Sequence, residues 1–153
     1  MLFQRVQFLL AAAFSLLLSG CAASIPSESR PTPDVSGLWV GGSRAACGPH
    51  GRKLGRCVAE QIISFRLTQE NSTVGGFYKC AYGNRNCLGM NDRGEVAHGE
   101  VRATMLSMRV MMDDGSSCLF SARPQIGEMH GQYSCLQGGG LLEKGDWYVQ
   151  RAY

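Results

Sequence analysis

The stretch Met105–Met112, MLSMRVMM, runs directly into the sequence DDGS at 113–116. Large apolar residues recur in it at every second position, namely Leu106, Met108, Val110 and Met112. Because a β-strand turns successive side chains to opposite faces, this period predicts a strand with one buried face. A helix over 101–112 is the competing prediction. The hairpin-type turn at 113–116 favours the strand.

Short apolar segments of the same kind, separated by turn residues, extend in both directions from this hairpin. Before it, strands are predicted at Gly37–Gly41, Gln61–Gln69, Val74–Cys80 and Glu95–Thr104. After it, strands are predicted at Ser117–Arg123, Glu128–Leu136 and Asp146–Ala152. Loops are predicted at Arg44–Arg56 and at Gly138–Gly140. The 20 glycines have no collagen-like period and fit short strands joined by tight turns.

About eight strands in hairpin succession predict an all-β protein, an antiparallel meander closed as a small barrel. Closure is favoured because it removes the sheet edges that promote aggregation. Trp39 and Trp147 lie near the two ends of the meander and suit strands that meet where the barrel closes. A two-sheet sandwich is the alternative.

The N-terminal Gly37-Leu38-Trp39, followed by repeated hairpins and a closing strand, resembles the small calycin barrels of lipocalins and avidins. The interior of an eight-stranded barrel is either filled by side chains or holds one small apolar ligand. Four methionines, Met105, Met108, Met111 and Met112, would line such a pocket; core packing is their alternative role.

The N-terminus has the pattern of an export signal. Arg5 precedes an apolar run from Val6 to Leu18, which is shorter than the roughly 20 residues of a membrane span. The sequence Leu18-Ser19-Gly20-Cys21 behind that run resembles the lipobox of bacterial lipoproteins. The alternative is an ordinary signal peptide cut near Ala23.

The lipoprotein resemblance implies cleavage between Gly20 and Cys21, and fatty acyl chains such as palmitate on Cys21. It also implies an outer-membrane location, since no aspartate follows Cys21. Several acyl chains would anchor the protein stably. The predicted organisation is a signal at 1–20, a lipidated Ser/Pro-rich tether at 21–35 and a single domain at 36–153. Removal of the first 20 of 153 residues, with their one base, lowers the formal charge from +3 to +2.

Six further cysteines in an exported chain predict a disulfide framework. Cys118 and Cys135 would face each other across a hairpin that turns at 126–127. The other predicted pairs are Cys80–Cys87 and Cys47–Cys57. A crossed set, Cys57–Cys80 and Cys47–Cys87, remains open.

The sequence carries no recognisable catalytic, phosphate-binding or metal-binding motif, so we expect no enzymatic activity, cofactor or metal. The small charge gives no reason to expect nucleic-acid binding. Glu143 and Asp146 are predicted to be solvated loop charges. A basic loop with Arg44, Arg52, Lys53 and Arg56 is a candidate contact for an anionic glycolipid or an acidic protein surface; a solvated loop is its alternative.

The leading functional prediction is a non-enzymatic, lipid-anchored binding protein of the bacterial envelope, in the periplasm or at the cell surface. Its partners would be the membrane, through the lipid, and an envelope protein or glycolipid. A lipocalin-like carrier of a small hydrophobic molecule and an inhibitor of a hydrolase such as lysozyme are the alternatives.

Overall fold

The computed structural model describes residues 32–56, 60–80 and 93–153. Within these ranges, eight antiparallel strands follow one another around a closed barrel, and the last pairs with the first. The strands are β1 Gly37–Cys47, β2 Glu60–Glu70, β3 Thr73–Cys80, β4 Arg93–Arg102, β5 Met105–Met112, β6 Ser117–Gln125, β7 Glu128–Gln137 and β8 Gly140–Ala152. A short helix, α1 (Pro49–Leu54), follows β1. The predicted all-β barrel is confirmed, and the alternative two-sheet sandwich is wrong.

The alternation in β5 has the predicted effect. Its even-numbered residues are buried in the barrel, and Met105 and Met111 are each 41% exposed on the outside. The helical alternative is therefore wrong. The four methionines do not line one pocket either, because Met108 and Met112 point inward and the other two outward.

Aromatic side chains fill the centre of the barrel. The ring of Phe65 lies 5.2 Å from that of Phe120, 5.3 Å from that of Trp147 and 5.4 Å from that of Tyr78. The ring of Tyr133 stacks on Phe120 at 5.3 Å. Such contacts stabilise a core beyond the area they bury. The interior of the described barrel is thus packed by its own side chains.

Two predicted loops are wrong. The segment Arg44–Arg56 continues β1 to Cys47 and then forms α1, which ends at Gly55 with a φ of 63°. Gly138 and Gly139 form a two-residue turn with φ of 55° and 79°. Positive φ at both central positions is the hairpin geometry that glycine adopts most readily, so β8 begins at Gly140 and not at Asp146.

One end of the barrel is closed by the residues just before β1. Val35 is fully buried, its carbonyl accepts a hydrogen bond of 2.8 Å from Nε1 of Trp39, and its N–H donates to Oε1 of Gln69. The guanidinium of Arg151 lies 4.8 Å above the Trp39 ring and donates to the carbonyl of Asp34. Val35, which belongs to the predicted tether, is therefore packed into the barrel, and the exposed Asp34 beside it is held by Arg151.

None of the helices in the described ranges has the length and apolar character that a membrane crossing requires.

Candidate functional site

The four predicted anion-contact residues do not lie in one loop. Arg44 is on the outside of β1 and forms an exposed ion pair of 3.2 Å with Glu60. Arg52 and Lys53 are in α1, and Arg52 donates a hydrogen bond to the carbonyl of Cys47. Arg56 follows the helix. These basic groups are thus distributed over a strand, a helix and a connection.

Arg56 joins α1 to the β5–β6 turn. Its guanidinium pairs with the carboxylate of Asp114 and donates a hydrogen bond of 2.9 Å to Oε1 of Gln137. Burial disfavours the charge of Asp114, but hydrogen bonds from Ser116 and the Arg56 charge hold the pKa of Asp114 below its usual value. Arg56 is therefore a structural link in the protein.

Glu143 was predicted to be a solvated loop charge, and this prediction is wrong. Its side chain is fully buried on the inner face of β8. Tyr133 Oη donates a hydrogen bond of 2.8 Å to Oε1 of Glu143, and Nε2 of Gln61 donates to the same oxygen at 3.3 Å. With Ser43, which is also buried, these residues form an inner polar cluster.

The inner polar cluster shifts the pKa of one of its members, Tyr133. Burial, followed by the nearby Glu143 carboxylate, raises the pKa of Tyr133 above its usual value, and a hydrogen bond with Ser43 opposes this effect. The tyrosine therefore stays protonated and donates to the carboxylate.

Helix α1 covers the strand that carries Glu143. The N–H of Gly48 donates to the carbonyl of Leu142 at 2.7 Å, and a side chain at Gly51 would collide with that same carbonyl. The inner polar cluster thus belongs to the interior and offers no open surface in the described part of the chain.

An open concave surface of about 820 Å³ lies on the outside of the barrel, across β2, β1, β8 and β7. We call it the outer groove. Its exposed side chains are Arg44, Glu60, Ile62, His130, Gln132, Asp146 and Tyr148. Because it is built on paired strands, the side chains are held on a rigid support.

Gly42 forms the floor of the outer groove. It pairs with Ile62 on one side and Tyr148 on the other, and all three face outward. A side chain at Gly42 would start 3.3 Å from Cε1 and 3.4 Å from Oη of Tyr148. The tyrosine ring therefore lies across β1 with glycine beneath it, and a side chain at position 42 would shift the ring slightly.

The outer groove has an aromatic part and a polar part. The His130 ring stacks on Tyr148, with centroids 6.4 Å apart and planes at 22°. In the polar part, Arg44 pairs with Glu60, and the Gln132 amide lies 3.5 Å from Oδ1 of Asp146. Concave surfaces that combine aromatic faces with a few oriented polar groups are typical of ligand sites.

Of the outer groove, sequence reasoning had singled out Arg44 as a contact residue. His130 is exposed on β7. Tyr148 and Gly42 were missed. The alternation of faces along β8 could have revealed Tyr148, because a strand that buries Trp147 must turn Tyr148 outward.

The predicted disulfide between Cys118 and Cys135 is confirmed, with the two Cα atoms 4.0 Å apart. Cys47 and Cys80 are also disulfide-bonded. Their predicted partners, Cys57 and Cys87, lie outside the described residues, as do the predicted lipidation site Cys21 and the bond after Gly20. Among the described residues, no three His, Cys, Asp or Glu side chains are grouped as metal ligands.

No protein-family model matches this sequence, and no curated protein matches it.

Proposed function

We propose that the chain is a non-enzymatic, lipid-anchored binding protein of the bacterial envelope, and that the outer groove is its binding surface. The anchor is supported by the sequence alone, through the lipobox-like Leu18–Cys21 behind an apolar run. The binding role is supported by the groove of about 820 Å³. That volume is in the range of small-ligand sites.

The groove is the proposed binding surface because it holds an exposed aromatic residue on a rigid strand. Tyr148 is 54% exposed, and its ring rests on a strand that has glycine beneath it. A large aromatic ring that is held in place and still reaches solvent is a typical anchor for a partner. The carrier alternative is less favoured, because aromatic rings occupy the centre of the barrel.

The anchor is tested by intact-mass measurement of the full chain purified from bacterial membranes. We expect a protein that begins at Cys21 and carries acyl chains. A Cys21→Ser variant should leave the membrane fraction. A mature wild-type protein without acyl mass on its first residue would contradict the lipid anchor.

The binding surface is tested by photo-crosslinking in living cells. A photoreactive amino acid in place of Ile62, which is 47% exposed in the groove, should form adducts with an envelope component. The same amino acid in place of Leu119, 41% exposed on β6, serves as the control. Equal crosslinking at both positions, or none at 62, would contradict the groove as the binding surface.

A further inference from the structure

We infer that the outer groove binds a neutral oligosaccharide. The inference rests on the proposed function, because it names the class of ligand for the same surface. Three features carry it: an aromatic platform, a set of mixed donors and acceptors, and the balance of charge.

The platform is the ring of Tyr148. The apolar C–H faces of a sugar ring pack well on an aromatic face, and tyrosine adds a hydroxyl for a polar contact. Gly42 lies beneath the ring, and His130 stacks beside it at 6.4 Å. Because these neighbours already restrict the ring, a ligand would immobilise little additional side-chain freedom on binding.

The polar part of the groove matches the hydrogen bonding of hydroxyl groups. Each hydroxyl can both donate and accept, so its site must offer both functions. Gln132 and Arg44 supply donors, and Asp146 and Glu60 supply acceptors, all within the same groove. The contact between Gln132 and Asp146 is long, at 3.5 Å, so a ligand hydroxyl that replaces it would break only a weak hydrogen bond.

The charges of the groove disfavour an anionic ligand. The Arg44 guanidinium is 3.2 Å from the Glu60 carboxylate, and Asp146 adds a second negative group. A phosphate or sulfate would meet net negative charge instead of the cluster of arginines and lysines that such groups need. A neutral sugar is not repelled by these carboxylates, and both remain available to accept hydrogen bonds from its hydroxyl groups.

The test uses the full mature chain in a zwitterionic detergent without a sugar head group. It is titrated calorimetrically with three tetrasaccharides: the β-1,4-linked oligomers of glucose and of N-acetylglucosamine, and α-1,4-linked maltotetraose. We expect at least one to bind with a Kd of about 1 mM or tighter. Saturation-transfer NMR should show the strongest transfer to the sugar C–H protons that face Tyr148.

Two variants locate the site. Tyr148→Ala should weaken binding at least about tenfold, because the platform is lost. Phe77→Ala is the matched control, since Phe77 is an aromatic residue 61% exposed on β3, outside the groove, and its loss should leave the Kd unchanged. Gly42→Ala, whose methyl group would lie 3.3 Å from Cε1 of Tyr148 and shift the ring slightly, should weaken binding less than Tyr148→Ala does.

The inference is overturned if none of the three sugars binds saturably up to about 10 mM, or if Tyr148→Ala binds as well as wild type. Crosslinking at position 62 and sugar binding together distinguish failure of the oligosaccharide inference from failure of the groove as a binding surface. A discrete protein adduct at position 62 without sugar binding would overturn the oligosaccharide and leave the groove as a binding surface. Absence of both would remove the groove altogether.

Discussion

Trp147 and Tyr148 are neighbours on β8 with opposite surroundings. Trp147 is 2% exposed and packs against Phe65 and Phe120, and its Nε1 donates to the carbonyls of Ser121 and Gln132. Tyr148 is 54% exposed and lies over a glycine on the outside. One strand of this barrel therefore contributes to the stabilising core with one face and to the candidate binding surface with the other.

The two acidic residues of β8 show the same division. Glu143 is buried and accepts hydrogen bonds from Tyr133 and Gln61, whereas Asp146 is exposed in the outer groove. Three positions separate them, which is an odd number, so a regular strand places them on opposite faces.

Removal of the buried Trp147 ring should have the largest effect on stability. Trp147→Ala should lower the free energy of unfolding by about 3 to 5 kcal/mol, because it leaves a cavity in the aromatic core. Tyr148→Ala should change it by about 0.5 kcal/mol or less. Urea unfolding followed by circular dichroism measures both. Similar losses in the two variants would contradict the division between the faces.

The inner disulfide should have the next largest effect. Cys118 and Cys135 are both fully buried and 17 residues apart in sequence. Replacing both with alanine should cost about 3 kcal/mol, since the unfolded chain regains the freedom of a loop of this length. The oligosaccharide Kd should stay within about twofold, because the bond does not line the groove. A large loss of binding in a folded variant would show that the faces are coupled.

Neutralising Glu143 or Asp146 should have smaller effects, which differ between the two faces of β8. Glu143→Gln should cost about 1 kcal/mol, because a buried hydrogen bond to a charged acceptor becomes a neutral one. Asp146→Asn should leave stability nearly unchanged and weaken sugar binding a few fold. Urea unfolding and calorimetry give the two values for each variant. A stability loss in Asp146→Asn larger than that in Glu143→Gln would contradict the assignment.

The smallest effect depends on pH. The pKa of Tyr133 is raised in the folded state, so the folded protein holds this proton more tightly than the unfolded chain. The resulting stability is present below the unfolded pKa of about 10 and is lost as the pH rises above it. The decrease attributable to Tyr133 should be about 0.7 kcal/mol between pH 9.5 and pH 10.5.

Tyr133→Phe serves as the control, since it removes the titrating group and keeps the ring stacked on Phe120. The difference in unfolding free energy between wild type and variant should therefore shrink over this pH interval. A difference that stays constant over this pH interval would show that Tyr133 has the same pKa in the folded and unfolded states.

Alternation and turn residues predict the strands and hairpins, because both patterns are local, and the cost of open sheet edges favours closure over a sandwich. The hairpin centred on 126–127 also placed Cys118 opposite Cys135. The errors arose where strands continue through residues typical of loops. The loop predicted from Gly138–Gly140 places the start of β8 too late, so that Glu143 is not assigned to either face of the strand. Extending the parity of Trp147 back through Gly145 would have placed Glu143 inside.

The outer groove was harder to predict, because it is assembled from four strands. Gly42 and Tyr148 are more than a hundred residues apart in the chain and meet through the β1–β8 register, which no local pattern fixes. The sequence predicts Arg44 as a contact residue only through its positive charge in a basic segment. Its partner Glu60 follows α1 and becomes a neighbour only through strand pairing.

The most direct test is the binding isotherm of the Tyr148→Ala variant for whichever of the three tetrasaccharides the wild type binds. The account predicts a loss of at least about tenfold in affinity from a protein that unfolds at the wild-type urea concentration. An unchanged isotherm, or a loss of affinity that comes with an equal loss of stability, would contradict it.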